Sequence, residues 1–336
     1  MAQHKVAVVI LGWNGKKFLE QFLPSVVSNS AGEGFVVVYA DNASSDGSVE
    51  FVKEQFPTVE IIETGANLGF AGGYNAALKQ VNAEYYVLLN QDVEVAPNWL
   101  LPLVRVLDSN SNIAAAQPKL RAFADRNAFE YAGASGGYVD FLGFAFCRGR
   151  VFDFIEKDSG QYDTTVPIFW ASGAALFIRA SVYHEAGGLD EDFFAHQEEI
   201  DLCWRVLRLG YQIMAVPESV VYHVGGGSLP QGNPRKTYLN FRNNLFLLLK
   251  NLPASALWWK LPLRLMLDVV AAYYSVLKNR NLNDFSAIAK AHLHFFSSFN
   301  SMYVKRNKGV KAVNLYSKSV VWHYFIKGKK TFSELQ

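Results

Sequence analysis

The sequence is poor in cysteine and lacks a leader-like pattern at its start. Among 336 residues only Cys147 and Cys203 are cysteines, and both have apolar neighbours. Two isolated cysteines exclude a disulfide framework and a cysteine metal site, which fits a reducing cytoplasm. The apolar run at residues 6–11 is followed at once by Gly12-Trp13-Asn14-Gly15, so it predicts a strand and not a signal peptide.

Loop signatures of other nucleotide-binding enzymes are also missing. The first strand is not followed by Gly-x-Gly-x-x-Gly, which argues against a dinucleotide-dependent oxidoreductase, and no Walker A lysine loop occurs. A sugar nucleotidyltransferase should carry a glycine-rich loop with arginine and lysine at that place, where this chain has Trp13-Asn14-Gly15. No nucleic-acid-binding motif is present, so we expect no nucleic-acid partner.

Basic residues are scarce in the front of the chain and acidic residues in the back. Residues 1–227 contain 15 Lys/Arg and 27 Asp/Glu, whereas residues 228–336 contain 17 and 3. The formal net charge is therefore −12 in the front and +14 in the back. The basic residues alternate with apolar runs, a pattern that suits an anionic membrane surface better than nucleic acid.

What the front half does contain is an alternation of strand and helix patterns. Strands are predicted at 6–11, 35–40, 59–62, 85–89, 113–116 and 170–179, and helices at 16–28, 49–56, 70–81 and 196–207. This order predicts an α/β fold with a doubly wound, mostly parallel sheet. We expect residues 133–149 to be an irregular, mobile segment beside the site where an acceptor substrate binds.

Polar or glycine-rich loops follow each of the first four strands, where open α/β sheets bind ligands. The fourth strand ends on Asn90-Gln91-Asp92, and we interpret Asp92 as the ligand of a divalent metal that bridges the phosphates of a nucleotide-sugar. Asp41 could accept a hydrogen bond from a base or ribose, and the Gly72-Gly73 turn could admit a phosphate. The alternative is that these loops are ordinary turns and that Asp92 caps the one before Pro97.

Three acids crowd the start of the predicted helix at 196–207. Glu198, Glu199 and Asp201 could simply complement the helix dipole, and Asp201 is expected to pair with Arg205 one turn on. The functional interpretation is a general base that removes the proton of an acceptor hydroxyl as it attacks the anomeric carbon.

Taken together, the motifs resemble those of family 2 glycosyltransferases with the GT-A fold, close to the bacterial rhamnosyltransferase-like branch. They are Trp13-Asn14, Asp41-Asn42-x-Ser44-x-Asp46-Gly47-Ser48, Asn67-x-Gly69-Phe70-Ala71-x-Gly73-x-Asn75 and Leu89-Asn90-x-Asp92. The resemblance covers about residues 5–250. It implies an inverting, metal-dependent transfer from a nucleotide-sugar, with dTDP-rhamnose as the suggested donor, to a lipid-linked saccharide in cell-surface polysaccharide synthesis.

The resemblance also assigns site residues. Those expected to bind the donor are Trp13, Asn14, Asp41, Asn42, Asn67, Gly73, Asn75, Asn90, Gln91 and Arg242. Asp92 and His223 are expected to hold Mg²⁺ or Mn²⁺, although Asn90 replaces the first acid of the family's Asp-x-Asp motif. Glu199 takes the place of the catalytic base, which is an aspartate in the family's Glu-Asp-x-Asp-Leu motif, with Glu198 as the fallback. These two replacements leave open a catalytically inactive scaffold of the same fold, and a sugar nucleotidyltransferase remains a further alternative.

The back of the chain predicts helices that associate with a membrane. Residues 257–277 are mostly apolar, but Lys260, Arg264, Asp268 and Pro262 make a membrane span costly. We therefore predict a nucleotide-sugar-binding catalytic domain at 1–230 and a basic, aromatic-rich helical region at 231–336. The enzyme is expected to be a peripheral, monotopic protein on the cytoplasmic face of the inner membrane.

Overall fold

The structure is a computed structural model that describes residues 3–225, 232–280, 282–306 and 313–336. The predicted domain boundary after residue 230, and the glycines that follow Gly225, lie outside these ranges. The division of the chain into two domains therefore stays a prediction.

Strands and helices alternate through the front of the chain. The strands are β1 His4–Gly12, β2 Phe35–Asp41, β3 Glu60–Glu63, β4 Ala83–Asn90, β5 Val93–Val95, β6 Ile113–Ala122, β7 Gly137–Val139, β8 Ala145–Cys147, β9 Arg150–Val151, β10 Phe154–Ile155, β11 Val166–Ile168, β12 Ala175–Arg179 and β13 Gln212–His223. The helices are α1 Lys16–Asn29, α2 Ser48–Gln55, α3 Gly69–Leu78, α4 Leu100–Ser109, α5 Ala180–Glu185, α6 Glu198–Arg208, α7 Pro234–Asn251, α8 Ala254–Asn279, α9 Leu282–Ser297, α10 Phe299–Val304 and α11 Phe332–Leu335, with a 3₁₀ turn at Glu191–Phe193 and a π-helical turn at Trp322–Ile326.

The central sheet has nine strands in the order β11-β13-β6-β12-β4-β1-β2-β3, with β5 paired to β13. Strands β1, β2, β3 and β4 are parallel, as are β6 and β13. Along β1, Val6, Val8 and Ile10 face one hydrophobic cluster while Ala7 and Val9 face the other. Both faces are thus covered, and the predicted doubly wound, mostly parallel sheet is confirmed.

The register of the parallel strands brings their carboxyl ends to one edge. Gly12 at the end of β1 lies opposite Asp41 at the end of β2, and Leu11 lies opposite Asn90 at the end of β4. Strand β12 runs antiparallel to both β4 and β6, so β12 begins at this same edge, and the residues just before it lie there too. The loops with the predicted functional residues therefore converge.

The prediction of an irregular segment at residues 133–149 is wrong. Strands β7 to β10 form a four-stranded antiparallel sheet, and Phe146 and Cys147 are buried. Tyr316 packs edge-on against Phe146, and Phe332 lies on the same ring, so the C-terminal residues close over this small sheet. Strands of two or three residues are too short to show an alternating pattern in the sequence.

The back of the chain is helical, as expected. Leu245 to Leu249 of α7 are fully buried and belong to the hydrophobic cluster on one face of the central sheet. Helices α8 and α9 pack on α7 and on each other. Within the described ranges, no helix combines the length and the apolar character that crossing a membrane requires.

Candidate active site

The loops after β1 and β2 are tied together by their own polar groups. The backbone N–H of Asn14 donates to Ser44 Oγ at 3.0 Å, and the side-chain Oδ1 of Asn14 accepts from the backbone N–H of Ser45 at 2.8 Å. Asp46 Oδ2 accepts from the Lys16 N–H at 2.9 Å. Between these contacts the Trp13 side chain is 53% exposed, so a flat apolar ring stands at the rim of the crevice.

Asp41 is buried at the end of β2. Its Oδ1 accepts from the Tyr39 hydroxyl at 3.0 Å and its Oδ2 from the Ser44 N–H at 3.0 Å. A carboxylate has about four lone-pair sites, so each oxygen retains capacity to accept from a ligand. Burial, reinforced by the Asp41 charge, raises the pKa of Tyr39, which keeps that hydroxyl protonated and donating.

Two asparagines predicted to bind the donor already use all their side-chain hydrogen-bonding capacity within the protein. Asn42 Nδ2 donates to Asn67 Oδ1 and the Gly69 carbonyl, while its Oδ1 accepts from the Leu68 N–H and the Thr64 hydroxyl. Asn75 similarly donates to the Leu189 carbonyl and Glu191 and accepts from Tyr183 and the Leu189 N–H. An amide offers four hydrogen bonds in all, so these side chains position the loops in this structure. Direct contact with a donor stays a prediction for them.

The glycines that open α3 allow close packing. A Cβ on Gly73 would lie 2.8 Å from Leu11 and 3.2 Å from Asn42, so glycine lets the helix approach β1. Gly69 has φ +71°, and a Cβ there would meet the Phe194 ring at 2.8 Å. The start of α3 therefore touches the loop that leads into α6.

Asp92 lies beside His223, 131 residues away in sequence, because β5 pairs with the end of β13. Asp92 Oδ1 is 3.1 Å from His223 Nε2, and Asn90 Nδ2 is 3.4 Å from the same nitrogen. On its other side, His223 Nδ1 lies 3.3 Å from Glu130 Oε1. Burial disfavours the imidazolium, but Glu130 and Asp92 outweigh it and raise the pKa of His223 to about 10.

The Asp92–His223 pair fits part of a metal coordination shell. Carboxylate oxygen and imidazole nitrogen are both ligands of Mn²⁺, and Asp92 Oδ1 and His223 Nε2 lie 3.1 Å apart, so a cation held by both would take the place of the proton between them. The described part of the chain holds no group of three or more His, Cys, Asp or Glu side chains arranged to bind a metal by themselves. A cation here would need further ligands, and phosphate oxygens and water commonly complete such sites.

Glu198 and Glu199 open α6, as predicted. Oε2 of each is buried and has no hydrogen-bond partner among the described residues. Burial raises the pKa of Glu199 to about 7, and burial together with the Glu199 charge raises that of Glu198 well above its usual range. Two neighbouring carboxyls in such surroundings are suited to hold a proton near neutral pH.

Asp201 differs from its two neighbours, because it is fully paired. It accepts from Arg205 Nε at 2.9 Å, as predicted, and from Lys250 Nζ and Asn251 Nδ2 at 2.8 Å. Burial alone would raise its pKa, but Arg205 and Lys250 hold the pKa well below the usual range. Asp201 therefore anchors α6 to α7 and is not available as a base.

Glu199 lies near the end of β4. The Asn90 N–H donates to the Ala174 carbonyl at 3.0 Å, and a Cβ on the adjacent Gly173 would be 3.6 Å from Glu199 Cβ. The same Asn90 side chain faces His223. Residues 90 and 173 thus connect the base candidate to the Asp92–His223 pair.

The segment before α6 is strained and braced by α7. Phe194, His196 and Gln197 all have φ between +63° and +69°, a region that disfavours side-chain-bearing residues. Asn243 Nδ2 lies within hydrogen-bond distance of the carbonyls of Phe193, Ala195 and His196, at 3.0, 2.8 and 2.7 Å.

Arg242 does not present its charge to the crevice. It is buried, and its Nη2 donates to the carbonyls of Asp192 at 3.0 Å and Phe193 at 2.9 Å. The predicted contact of Arg242 with a diphosphate stays a prediction, and these contacts do not favour it. The guanidinium instead supports the loop before α6.

Two site residues were missed from the sequence. Glu130 faces His223, and Lys236 is partly buried and close enough to Glu130 and His196 for its charge to act on both. Lys236 Nζ has no hydrogen-bond partner among the residues that the structure describes, and burial lowers its pKa. Burial and the Lys236 charge lower the pKa of His196 to about 4, which keeps that ring neutral. Neither residue belongs to a local motif.

Gln91 completes the set at the end of β4. A Cβ on Gly15 would lie 1.9 Å from Gln91 Oε1, so the amide occupies the space that this glycine leaves. That oxygen is buried without a hydrogen-bond partner in the described ranges. Gln91 Oε1 is therefore an unpartnered acceptor packed against the loop that carries Trp13 and Asn14.

Comparison with known proteins gives a consistent result. The model of "Glycosyl transferase family 2" matches residues 7–180. The chain is 26% identical over 275 residues to the N-acetylglucosaminyl-diphospho-decaprenol L-rhamnosyltransferase of Mycobacterium tuberculosis, covering 76% of this chain and 87% of that protein. A second relative, rhamnosyltransferase WbbL of Escherichia coli, is 24% identical and covers 65% and 83%.

Solved structures show the same fold. S. aureus TarS 1-349 in complex with UDP-GlcNAc has a TM-score of 0.57 at 14% identity, over 90% of this chain and 84% of that one. The Pyrobaculum calidifontis mannosyltransferase PcManGT in complex with GDP-Man and Mn²⁺ has a TM-score of 0.53 at 15% identity, covering 91% and 84%. At these identities the likeness concerns the fold.

Proposed function

The chain belongs to glycosyl transferase family 2, and from this premise we propose that it transfers a sugar from a nucleotide-sugar, with inversion, to a lipid-linked saccharide. The observation that carries the proposal is the convergence of a metal-compatible pair, Asp92 and His223, with a carboxyl of raised pKa, Glu199, at the end of β4. The M. tuberculosis and E. coli relatives, both named rhamnosyltransferases, support dTDP-rhamnose as the donor.

The nucleotide is held by the loops after β1 and β2. Asp41 accepts hydrogen bonds from the base or ribose with its remaining lone pairs, and the exposed Trp13 ring offers an apolar face beside it. Gln91 follows directly on β4 and packs against Gly15 of the β1 loop, and we assign its side chain to the same nucleotide-binding set. Asn42, Asn67 and Gly73 keep these loops in place.

The diphosphate faces Asp92 and His223, which would hold Mg²⁺ or Mn²⁺ together with phosphate oxygens. When bound, the cation would offset negative charge that develops on the leaving group. Lys236 adds a positive charge on the Glu130 side of the same pair, and its Nζ is free to donate to a phosphate oxygen. We assign to Lys236 the role first expected of Arg242.

Glu199 acts as general base. Its ionised carboxylate takes the proton of the acceptor hydroxyl while that oxygen bonds to the anomeric carbon and the bond from this carbon to the phosphate oxygen breaks. Attack from the face opposite the diphosphate inverts the configuration in one step. A raised pKa makes Glu199 a stronger base than an exposed glutamate.

The back helices are proposed to attach the enzyme to the cytoplasmic face of an anionic membrane. Large apolar side chains on α8 are exposed and share one helical face, at Met266, Val270, Tyr273 and Leu277. The net charge of +14 in residues 228–336 adds electrostatic attraction. Met266→Asp/Leu277→Asp should abolish sedimentation with phosphatidylglycerol vesicles, whereas Leu101→Asp on α4, also an exposed leucine, should not. Equal sedimentation of both variants would contradict the proposal.

Transfer with a panel of nucleotide-sugars tests the catalytic proposal. Wild type, Asp92→Ala and Glu199→Gln are compared with dTDP-rhamnose, UDP-GlcNAc and GDP-mannose, in Mn²⁺ and in EDTA. We expect one donor to support transfer only with the cation, and both substitutions to reduce it by about 100-fold or more. Lys79→Ala, an exposed charge at the end of α3, serves as the control. Transfer that both active-site variants retain unchanged would remove the assignment.

A further inference from the structure

A groove between α7 and α9 lies outside the crevice described above. It has a volume of about 310 Å³, and its lining includes Arg235, Tyr238, Ser286 and Lys290. We propose that this groove binds the diphosphate of an isoprenoid-diphosphate-linked acceptor. The proposal rests on the proposed function and names the part of the chain that would recognise the acceptor.

Two cations face each other across the groove without a carboxylate partner. Arg235 and Lys290 are exposed, and neither forms an ion pair within the described ranges. Arg235 lies over the Phe194 ring, 5.4 Å from its centroid, which holds the guanidinium at the rim. Asp284 of α9 accepts hydrogen bonds from Thr237 and Ser275 at 2.9 Å each and is partly buried, and no acid is among the described residues that line the groove. The groove is therefore electropositive.

Helix orientation adds to this positive potential. Helix α7 begins at Pro234 and α9 at Leu282, so both first turns lie at the groove. The two helices are parallel, because Thr237 contacts Asp284 near the starts while Phe246 contacts Phe295 further along. Their positive dipole ends therefore point the same way, toward an anion bound in the groove.

An apolar stripe runs along the outer side of the same groove. Leu282, Phe285, Leu293 and Phe296 are exposed and share one face of α9, next to the face that bears Ser286 and Lys290. Phe285 contacts Tyr273 of α8, so this stripe continues into the exposed apolar face proposed to meet the membrane. A positively charged groove beside an apolar helix face fits an amphiphile whose diphosphate enters the groove while its apolar tail stays in the membrane.

The groove shares a wall with the catalytic crevice. The Phe194 carbonyl accepts from the Phe70 N–H at 3.0 Å at the start of α3, and the Phe194 ring supports Arg235. Phe194 also belongs to the strained segment that leads into Glu198 and Glu199. Phe194 therefore links the groove to the segment that bears the two glutamates.

Direct binding of geranyl diphosphate to the full-length protein tests the proposal. Calorimetry is carried out in EDTA, so that the Asp92–His223 pair cannot recruit diphosphate through a cation. Wild type is compared with Arg235→Ala/Lys290→Ala and with the matched control Lys79→Ala/Lys157→Ala, which also removes two exposed charges. We expect the groove variant to bind about 10-fold or more weakly and the control to equal wild type. Retained binding of a nucleoside diphosphate in Mn²⁺ shows that the groove variant is folded.

Three results would overturn the proposal. The first is equal or undetectable binding of geranyl diphosphate across the three proteins. The second is a groove variant that binds inorganic pyrophosphate as tightly as wild type does, which would mean that Arg235 and Lys290 do not recognise the diphosphate. The third is a groove variant that loses only its binding to phosphatidylglycerol vesicles, which would make the groove a contact for bilayer headgroups. Because no donor or turnover is involved, these results are independent of whether transfer is observed.

Discussion

The pH dependence of transfer is the sharpest consequence of the site, because Glu199 must be ionised to accept a proton. Burial raises the pKa of Glu199 to about 7, from an ordinary value of 4.5. The ionised fraction then rises from about 10% at pH 6 to about 90% at pH 8. We therefore expect kcat/KM to increase about 10-fold between these two pH values. An exposed glutamate would already be almost fully ionised at pH 6 and would give a flat profile.

Substitutions identify which of the two acids carries this dependence. Burial and the Glu199 charge raise the pKa of Glu198 well above its usual range, so Glu198 gives up its proton less readily than an ordinary glutamate, and Glu198→Gln mimics its protonated form. We expect this variant to retain the rising profile, with a midpoint shifted only slightly. Glu199→Gln removes the base and should lower kcat by a factor of about 10² to 10⁴.

The assay is transfer at saturating donor and limiting acceptor from pH 5.5 to 8.5, so that the rate follows kcat/KM for the acceptor. Nucleoside diphosphate affinity is measured in parallel to separate binding from chemistry. Because the two carboxyls are close, the observed midpoint belongs to the pair. A rate that is constant between pH 6 and 8 would refute the assignment of a buried base. A Glu198→Gln variant that loses as much activity as Glu199→Gln would refute the choice between the two residues.

Three further predictions concern the support of the site. Asp201→Ala leaves Lys250 with only its second carboxylate partner and should lower the free energy of unfolding by about 3–5 kcal/mol; a urea titration with an unchanged midpoint would contradict this. Asn243→Ala removes the N–H group that hydrogen-bonds three loop carbonyls and should reduce kcat more than affinity for the nucleotide-sugar. Asn243→Asp presents oxygens to those carbonyls and should reduce kcat further. Equal kcat in wild type and both variants would show that these hydrogen bonds are unimportant. Lys236→Ala should raise the donor KM about 10-fold while Lys79→Ala does not; identical KM values would remove Lys236 from the diphosphate site.

The alternation of strands with helices and the convergence of the strands' carboxyl ends could be predicted from the sequence. The runs that became β1, β2 and β4 are mostly apolar, and a glycine or a polar residue marks each end, at Gly12, Asp41 and Asn90. Parallel strands joined by helices must bring those ends to one edge. The direction of β12 was not predictable, because a buried apolar run has the same pattern in either direction.

The partners of the site residues could be predicted only in part. The pairing of Asp201 with Arg205 follows from helical spacing and is confirmed. The proximity of Asp92 and His223 was suggested by family resemblance, since pairing of β5 with β13 has no local signal. Glu130 and Lys236 reach the site through long-range packing and are surrounded by no motif. The burial of Arg242 and Asn243, and their contacts with the loop before α6, could not be predicted, because polar side chains on a helix are expected to face solvent.

The central claim is that Asp92 and His223 hold a cation and diphosphate on one side of the transferred sugar, while Glu199 and the acceptor hydroxyl lie on the other. A crystal structure with Mn²⁺ and the nucleoside diphosphate of the active donor measures this directly. We expect an anomalous manganese peak about 2.2 Å from Asp92 Oδ1 and from His223 Nε2, in contact with the diphosphate. The nucleobase should lie next to Asp41. Manganese and nucleotide bound elsewhere, or a side chain filling the space between the diphosphate and Glu199, would contradict it.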